Sequence, residues 1–367
     1  MKIASSNKDY PTNIPLLLNN TRVARSYVGG SLINKWKGLP DCGETDRCEE
    51  WQMSVIEEQY PGCKPGEGLS KVENILGEPT LKEVIASSPV DYLGEKYCAK
   101  YGNECGLGVR TGDSVVRLSL QAHPRPEDAQ KYLNFPLGKT EAWYIVETRT
   151  INGEHPYVRI GFKEGYRKEK IRKMFYEEDV KGIEESMHKI PIDKGSVILV
   201  PAGTPHAMGP GAMFLELADA CDFTFKLEHK MPTRRLLDTE MHYGIGFDNM
   251  LECFDYTQYT EEEIRSKTIL TPVLEEETSD CSIFKCFGYE RNKTYTMYKY
   301  VVKDSYILKK ADHYRVLIPI YGNGSLKTSN GEEFLLKQGS GIFLPQSLED
   351  VTITGNFSFI LSDCAEL

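Results

Sequence analysis

The chain has 367 residues, 40% of them hydrophobic and 27% charged, which is typical of ordinary globular proteins. A chain of this length has enough residues for two domains with separate cores. The 54 Asp and Glu residues outnumber the 44 Lys and Arg residues, giving a net charge of -10. This charge argues against a nucleic-acid-binding or anionic-membrane-binding surface, although it allows a local basic pocket for one phosphate group.

The N-terminal apolar run covers only residues 15–18, which is too short for a secretory or membrane-spanning segment. No later segment is long and apolar enough to cross a bilayer. Ten cysteines are scattered without a CxxC pair, which predicts free and mostly buried thiols in a cytoplasmic protein. Metal binding by Cys42 with Cys48, or by Cys281 with Cys286, is a less favoured alternative.

The first 60 residues predict irregular β-structure, with a strand over 49–57. A helical segment follows at about 70–100, because its apolar residues recur at helical spacing. Within it Thr80 and Glu83 form the sequence pattern of a capping box, which predicts a helix beginning at this point.

The middle of the chain predicts a β-hairpin followed by helices. Residues 141–163 read as two strands, and Asn152-Gly153 between them is a strong hairpin-turn signal. Residues 167–189 predict one charged amphipathic helix on the surface, and helical segments return at about 233–270.

Residues 276–367 predict a separate all-β unit, because nearly everything after about 282 alternates at period two. A weak internal repeat supports two β-barrels of related design. The segment from Gly195 to His206 has the same turn, strand and proline pattern as the segment from Gly339 to Asp350. This repeat predicts that His206 points into the first barrel and Asp350 into the second, which would therefore lack the histidine.

Four residues could hold a divalent metal ion. The segment "VVRLSLQAHP" places Gln121 and His123 two residues apart in a predicted strand, and Glu141 and His206 follow further along the chain. Two imidazoles, one carboxylate and one amide can form a four-ligand site, and a metal held in this way can act as a Lewis acid.

Three sequence motifs carry a family resemblance. The pattern from Gly195 to His206 resembles the second motif of the cupin superfamily, which consists of jelly-roll β-barrels. The segments "LSLQAHP", "GKTEAWY" and "VPAGTPHA" resemble those of type I mannose-6-phosphate isomerases in their short bacterial form. The resemblance implies a mainly β fold of two cupin domains with helical insertions. The first, 1–275, would be the metal-binding catalytic domain, and the second, 276–367, would lack metal ligands.

The resemblance implies one zinc ion per chain, with ligands at Gln121, His123, Glu141 and His206. Two nitrogen and two oxygen ligands would also accept manganese, iron or cobalt. The remaining histidines are predicted to be structural; they are His155, His188, His229, His242 and His313.

The resemblance also implies the residues around the substrate. It places Lys139, Asp222 and Lys226 in catalytic positions and Ser119 near the sugar phosphate. We predict Arg110 and Ser119 as phosphate-binding residues, since both side chains are good phosphate donors. Two positions depart from the family pattern, because the family has lysine where this chain has Arg110 and arginine where it has Lys226. Arginine and lysine differ in reach and geometry, so the substrate-binding residues are altered while the metal ligands are intact.

The activity that the resemblance implies is a zinc-dependent interconversion of mannose 6-phosphate and fructose 6-phosphate through a cis-enediolate. Two alternatives stay open: a homologous isomerase acting on a different sugar or sugar phosphate, and a non-catalytic metal-containing cupin that binds sugars. We expect a small-molecule sugar phosphate as partner, no nucleic acid, no membrane, and a monomer or homodimer.

Overall fold

The computed structural model describes residues 10–58 and 63–367, and this part of the chain is mainly β, as predicted. The strands of the N-terminal part are β1 (Leu16–Leu18), β2 (Thr21–Val23), β3 (Glu49–Met53), β4 (Leu107–Asp113), β5 (Gln121–Ala122), β6 (Glu141–Thr148), β7 (Tyr157–Lys163), β8 (Met187–Pro191), β9 (Val197–Val200), β10 (His206–Met208), β11 (Ala212–Asp219), β12 (Phe225–Lys226), β13 (Gln258–Tyr259) and β14 (Ile269–Leu270). Those that follow are β15 (Val273–Glu277), β16 (Cys281–Phe287), β17 (Met297–Val302), β18 (Ser305–Leu308), β19 (Arg315–Tyr321), β20 (Gly324–Lys327), β21 (Glu333–Leu336), β22 (Gly341–Leu344), β23 (Val351–Thr354) and β24 (Phe357–Asp363).

Short helices connect or cover the strands. They are α1 (Ser31–Trp36), α2 (Leu81–Ser87), α3 (Pro89–Leu93), α4 (Glu95–Tyr101), α5 (Pro126–Asp128, continued as a wider turn over Ala129–Leu133), α6 (Lys168–Tyr176), α7 (Val180–Ser186), α8 (Asp238–His242), α9 (Phe247–Glu252) and α10 (Glu261–Thr268). Helix α2 begins at the predicted capping box, in which Thr80 and Glu83 each bond the other's backbone N–H. No helix in the described residues is long and apolar enough to span a membrane.

Two sheets form the barrel that carries the candidate site. One has the strand order β14-β9-β6-β11-β4-β3-β2, and the other has the order β12-β5-β10-β7-β13, with β8 also paired to β7. Apolar side chains from both sheets, such as Trp143 and Ile198 from the first and Ile160 from the second, fill the space between them. Burial of this shared core holds the two sheets face to face.

A second pair of sheets forms the C-terminal barrel. Its larger sheet has the order β1-β22-β19-β24-β17-β16-β15, and its smaller sheet has the order β18-β23-β20-β21. Strand β1 is far from the others in sequence, yet it pairs with β22 through Leu16 and Phe343. A further apolar cluster, which includes Tyr144, Leu215 and Val316, packs the large sheets of the two barrels against each other. The division into domains at 1–275 and 276–367 stays a prediction.

The predicted hairpin at 141–163 is wrong, although its turn is present. Asn152 and Gly153 have φ of 52° and 81°, and a bridge joins Ile151 to Glu154. The strands on either side do not pair with each other, because β6 lies in one sheet and β7 in the other. The turn therefore carries the chain from one sheet of the barrel to the other, an outcome that local turn chemistry does not distinguish from a hairpin.

Two other predictions were corrected by the structure. The helix predicted over 167–189 is broken into α6 and α7, since Glu178 adopts a φ of 55° and Asp179 caps the second helix. Asp350 does not point into the C-terminal barrel. Its carboxylate is half-exposed and accepts from Lys309 Nζ and the Lys310 backbone N–H, both at 2.9 Å, because solvent and a lysine stabilise the charge better than an apolar interior.

All ten cysteines are free thiols, and seven of them are buried, as predicted. Neither of the alternative cysteine pairs belongs to the cluster of candidate metal ligands described below.

Candidate metal centre and the cavity around it

Three of the four candidate ligands lie on one sheet of the barrel, and the fourth lies on the facing sheet. Gln121 of β5 lies opposite His206 of β10 on one side and opposite Lys226 of β12 on the other. His123 lies two residues after Gln121, and alternation along an extended chain returns its side chain to the same face. Glu141 begins β6 in the facing sheet, so the group forms between the two sheets.

His123, Glu141 and His206 form a compact group whose candidate ligand atoms all lie within 4.8 Å of one another. Glu141 Oε2 is 3.1 Å from His123 Nε2, and Glu141 Oε1 is 3.0 Å from His206 Nε2. All three side chains are almost completely buried. This geometry brings together three of the four predicted metal ligands.

The hydrogen bonds of the two imidazoles fit a metal ion. His123 Nδ1 lies 2.9 Å from the Phe223 carbonyl oxygen, and His206 Nδ1 lies 2.8 Å from that of Thr204. Both Nδ1 atoms therefore donate, which leaves each Nε2 as a lone-pair donor for a metal. Within the described part of the chain, His123 Nε2 and Glu141 Oε1 are buried without a hydrogen-bond partner. Two lone pairs facing a carboxylate at about 3 Å are stable only with a cation between them, so these residues fit a divalent metal.

The pKa values of His123 and Glu141 also suit metal binding. Burial, with the charge of Lys139 nearby, lowers the pKa of His123 to about 4. Burial alone would raise the pKa of Glu141, but Lys139 and His123 outweigh this effect and hold it well below the usual range. The ligands are therefore a neutral imidazole and a carboxylate, the forms that coordinate metals.

Gln121, the fourth predicted ligand, lies beside this group. Its Nε2 is 3.3 Å from His206 Nε2, while its Oε1 accepts hydrogen bonds from Ser119 Oγ and Lys226 Nζ. The ligand role of Gln121 stays a prediction, since the amide oxygen is turned toward Lys226.

Lys139 and Arg110 are held in buried ion pairs. Lys139 Nζ lies 3.0 Å from both Glu141 Oε2 and Glu216 Oε1, and these carboxylates raise its pKa even though burial lowers it. Arg110 donates to Asp222 Oδ1 at 2.9 Å and lies 3.4 Å from Glu216. Its guanidinium also stacks over the Trp51 ring at 4.5 Å. The predicted phosphate-binding arginine is thus already paired with two carboxylates.

Arg25 is a site residue that the sequence did not indicate. Its guanidinium lies 2.6 Å from Glu58, 3.3 Å from Glu49 and 3.5 Å from Asp222. Burial would raise the pKa of Asp222, but Arg25 and Arg110 hold it below its usual range. Glu216 was also missed, although a lone charge within the otherwise apolar segment "AMFLELA" was a usable signal. No sequence pattern points to Arg25, because its partners are far away in the chain.

Lys226 differs from the other basic residues of the site. Its Nζ donates to Ser119 Oγ and Gln121 Oε1, both at 2.9 Å, and no carboxylate of the described residues lies within ion-pair distance of it. Burial, together with the nearby charge of Arg25, lowers the pKa of Lys226 to about 7. Both Lys139 and Lys226 lie at the metal group, but only Lys139 is neutralised.

Two connected cavities lead outward from His123, Glu141 and His206, which are called the metal group below. The inner one, of about 40 Å³, is lined by Gln121, His123 and Glu141 together with Lys139 and Trp143. The outer one, of about 230 Å³, shares Arg25, Ser26, Thr224 and Lys226 with it. Arg234, Thr239, Glu240 and Tyr243 are among the residues that line the outer cavity. The path outward from His123, Glu141 and His206 is therefore lined by basic, acidic and hydroxyl side chains.

Other histidines lie away from this group. His155 is half-exposed beside Asp193, and His188 Nε2 bonds the Tyr259 carbonyl oxygen at 2.8 Å. Both contacts agree with the structural roles predicted for them.

Comparison with known proteins matches residues 288–364 to the family model described as mannose-6-phosphate isomerase, cupin domain. A mannose-6-phosphate isomerase of Streptococcus mutans is 25% identical over 361 residues, covering 96% of this chain and 99% of that protein. Mannose-6-phosphate isomerase ManA of Bacillus subtilis is 25% identical over 264 residues, covering 71% of this chain and 76% of that protein. A crystal structure of a mannose 6-phosphate isomerase from Bacillus subtilis superimposes with a TM-score of 0.74 at 22% identity, covering 95% of this chain and 99% of that one. The predicted cupin fold is confirmed.

Proposed function

This chain is a relative of the type I mannose-6-phosphate isomerases of the cupin superfamily, and we propose that it is a metal-dependent isomerase interconverting mannose 6-phosphate and fructose 6-phosphate. The single observation that supports this proposal best is the buried group of His123, Glu141 and His206, from which a polar cavity leads outward. A reaction through a cis-enediolate needs such a site, because negative charge develops on two neighbouring sugar oxygens.

The metal would be zinc, held by His123, Glu141, His206 and Gln121. Two imidazole nitrogens, a carboxylate and an amide oxygen form a suitable ligand set. When bound, a zinc ion stabilises negative charge on the oxygens next to the carbons that exchange a proton. The two backbone carbonyls that accept from the histidine Nδ1 atoms keep the imidazoles turned toward the metal.

Among the predicted catalytic residues, the geometry favours Lys226 for moving the proton between C1 and C2. Lys139 is paired with two carboxylates, and Asp222 is held by Arg110 and Arg25. Lys226 is bonded only to neutral groups in the described structure and faces both cavities. We assign Lys139 and Asp222 to the charge balance that positions the substrate, with Lys226 in contact with it.

The substrate orientation follows from the charges along the two cavities. We propose that C1 and C2 lie in the inner cavity and that the phosphate lies in the outer one. Arg25 and Arg234 line the outer cavity, and a guanidinium can bind phosphate through two parallel hydrogen bonds. Arg110 and Ser119 stay the phosphate ligands predicted from the sequence. All three arginines form ion pairs within the protein, and we favour Arg25 and Arg234 because they line the outer cavity, whereas Arg110 lines only the inner one.

A coupled assay of fructose 6-phosphate formation tests the activity. We expect turnover of mannose 6-phosphate that is lost on chelation and restored by zinc. His123→Ala and His206→Ala should lose both bound metal and turnover, whereas the half-exposed His155→Ala should retain both. Full zinc occupancy without turnover of mannose 6-phosphate would contradict the proposed reaction.

The two alternative functions predict different results in the same assay. Turnover of another sugar phosphate, with mannose 6-phosphate inert, would identify a homologous isomerase of different specificity. Saturable binding without turnover would identify a sugar-binding cupin. Lys226→Arg restores the residue of the family motif but stays protonated, so turnover should fall if Lys226 moves the proton. A strong rise in activity would contradict that role and would mean that this chain has drifted from the common substrate. The cytoplasmic location and the oligomeric state stay predictions.

A further inference from the structure

We propose that a second cavity, behind the loop that carries Lys139 and Glu141, binds a small organic ammonium ion. This rear cavity has a volume of about 540 Å³, within the range of small-molecule sites. It lies among helices α2 to α4, the segment 135–137 and the C-terminal end of the chain. It shares no lining residue with either cavity of the metal site. The inference goes beyond the proposed isomerase activity and does not depend on it.

The walls of the rear cavity suit an apolar or aromatic ligand body. Ile85 and Leu137 contribute aliphatic surface, and Tyr97, Tyr101 and Phe135 contribute aromatic rings. Aromatic faces attract ammonium groups, most strongly where water is excluded. The walls thus accommodate both the apolar part of an organic cation and its charge.

One acidic side chain in the rear cavity has no basic partner. Asp219 is only 9% exposed and lines the cavity. Its Oδ2 accepts from the Thr140 N–H at 2.9 Å, but no basic side chain of the described residues lies within ion-pair distance of it. A buried carboxylate without a cation is costly, and a ligand ammonium would offset that cost.

Asp219 differs in this respect from the other buried carboxylates. Each of the other buried acidic side chains in the described part of the chain has a lysine or arginine within 4.0 Å; these are Glu49, Glu50, Glu58, Asp113, Asp128, Glu141, Glu216 and Glu228. Among the described residues, Asp219 at the rear cavity is therefore the exception, since the fold pairs each of these other buried acids with a basic side chain. Burial also raises the pKa of Asp219 to about 6, as expected for a carboxylate that lacks a cation.

The charged side chains at the edge of the rear cavity do not provide the basic partner that Asp219 lacks. Lys82 and Glu104 also line it, but both are exposed and opposite in sign. Their fields are screened by solvent, whereas the field of Asp219 is not. Asp219 therefore determines the charge that a ligand must carry.

Binding in the rear cavity would also change the position of residues next to the metal group. Asp219 pairs with Thr140 through its carboxylate and through its own N–H, which donates to the Thr140 carbonyl oxygen at 3.1 Å. Thr140 lies between Lys139 and Glu141, so a ligand that draws the Asp219 carboxylate toward itself acts on this loop.

Calorimetric titration of the full chain with phenethylammonium chloride tests the proposal. We expect saturable binding near pH 7.5, with 2-phenylethanol, which has the same ring and no charge, binding at least tenfold more weakly. Asp219→Asn should weaken phenethylammonium binding at least tenfold, because the amide still accepts from Thr140 but carries no charge. The exposed Asp304→Asn is the matched control and should bind as the wild type does.

A second variant keeps the test decisive if Asp219→Asn does not fold. Ala86→Trp fills the rear cavity from its wall while leaving Asp219 in place, and it should also abolish binding. The proposal is overturned if the wild type does not bind phenethylammonium, if it binds the alcohol equally well, or if the folded variants bind as tightly as the wild type.

Discussion

The charge of Asp219 should make the stability of this protein depend on pH in a way that one substitution removes. Burial raises the pKa of this carboxyl from 3.8 to about 6, against the smaller lowering effects of the Thr140 N–H, the Thr294 hydroxyl and the charge of Lys139. The Tyr295 hydroxyl, which donates to the Thr140 carbonyl oxygen at 3.0 Å, also interacts electrostatically with Asp219. The folded state therefore binds this proton more tightly than the unfolded state does.

The sign and size of the effect follow from proton linkage. Between about pH 4 and pH 6 the folded chain holds a proton that the unfolded chain has lost, so the free energy of unfolding decreases as the pH rises. A rise of the pKa from 3.8 to about 6 corresponds to about 3 kcal/mol, at about 1.4 kcal/mol for each pH unit. Asp219 is almost fully buried, so solvent screening reduces this value little.

Asp219→Asn isolates this contribution, because an amide imitates the protonated carboxyl and does not titrate. We expect the free energy of unfolding of the variant minus that of the wild type to increase by about 3 kcal/mol from pH 4 to pH 7 and then to level off. Urea unfolding of both chains at a series of pH values measures this difference, in which the titration of all other groups cancels. A difference that is independent of pH, or that decreases with pH, would refute the reasoning.

Three further predictions concern residues and a metal ion that stabilise the site and the fold. Glu228 accepts from Arg117 through both oxygens and from the Leu120 N–H, all at 2.8 Å, just before β5, which carries the candidate ligand Gln121. Glu228→Gln should cost about 3–5 kcal/mol in urea unfolding and weaken metal binding about 10–100-fold in a chelator competition, and an unchanged metal affinity would refute the supporting role. Thr80→Ala should cost about 1 kcal/mol by removing the helix cap, whereas Thr80→Ser should retain most of it; equal losses would show that the hydroxyl is not responsible. Zinc at about 100 times its dissociation constant should add about 2.7 kcal/mol to the free energy of unfolding of the wild type, and the same gain in His206→Ala would contradict the site.

Parts of the fold and the site could be predicted from the sequence because they depend on local pattern or on short motifs. The alternation at period two after residue 282 predicted the C-terminal strands, and Thr80 with Glu83 predicted the start of α2. The motifs around His123, Glu141 and His206 predicted the group that the fold brings together.

Other features could not be predicted, because they depend on which distant segments meet. Asn152 and Gly153 form the predicted turn, but the sheets that β6 and β7 join are set by pairing with strands elsewhere in the chain. Glu178 breaks the long helix predicted over 167–189.

The sequence by itself determined which residues are candidate metal ligands, since these residue types stand in short, recognisable motifs. Only the tertiary structure decided which charges are neutralised. It placed Arg25 beside Asp222, engaged Arg110 in two ion pairs, and left Asp219 without a basic partner among the described residues. The physical reason is that the energy of a buried charge depends on the groups within a few ångströms of it, and folding brings those groups from distant parts of the chain.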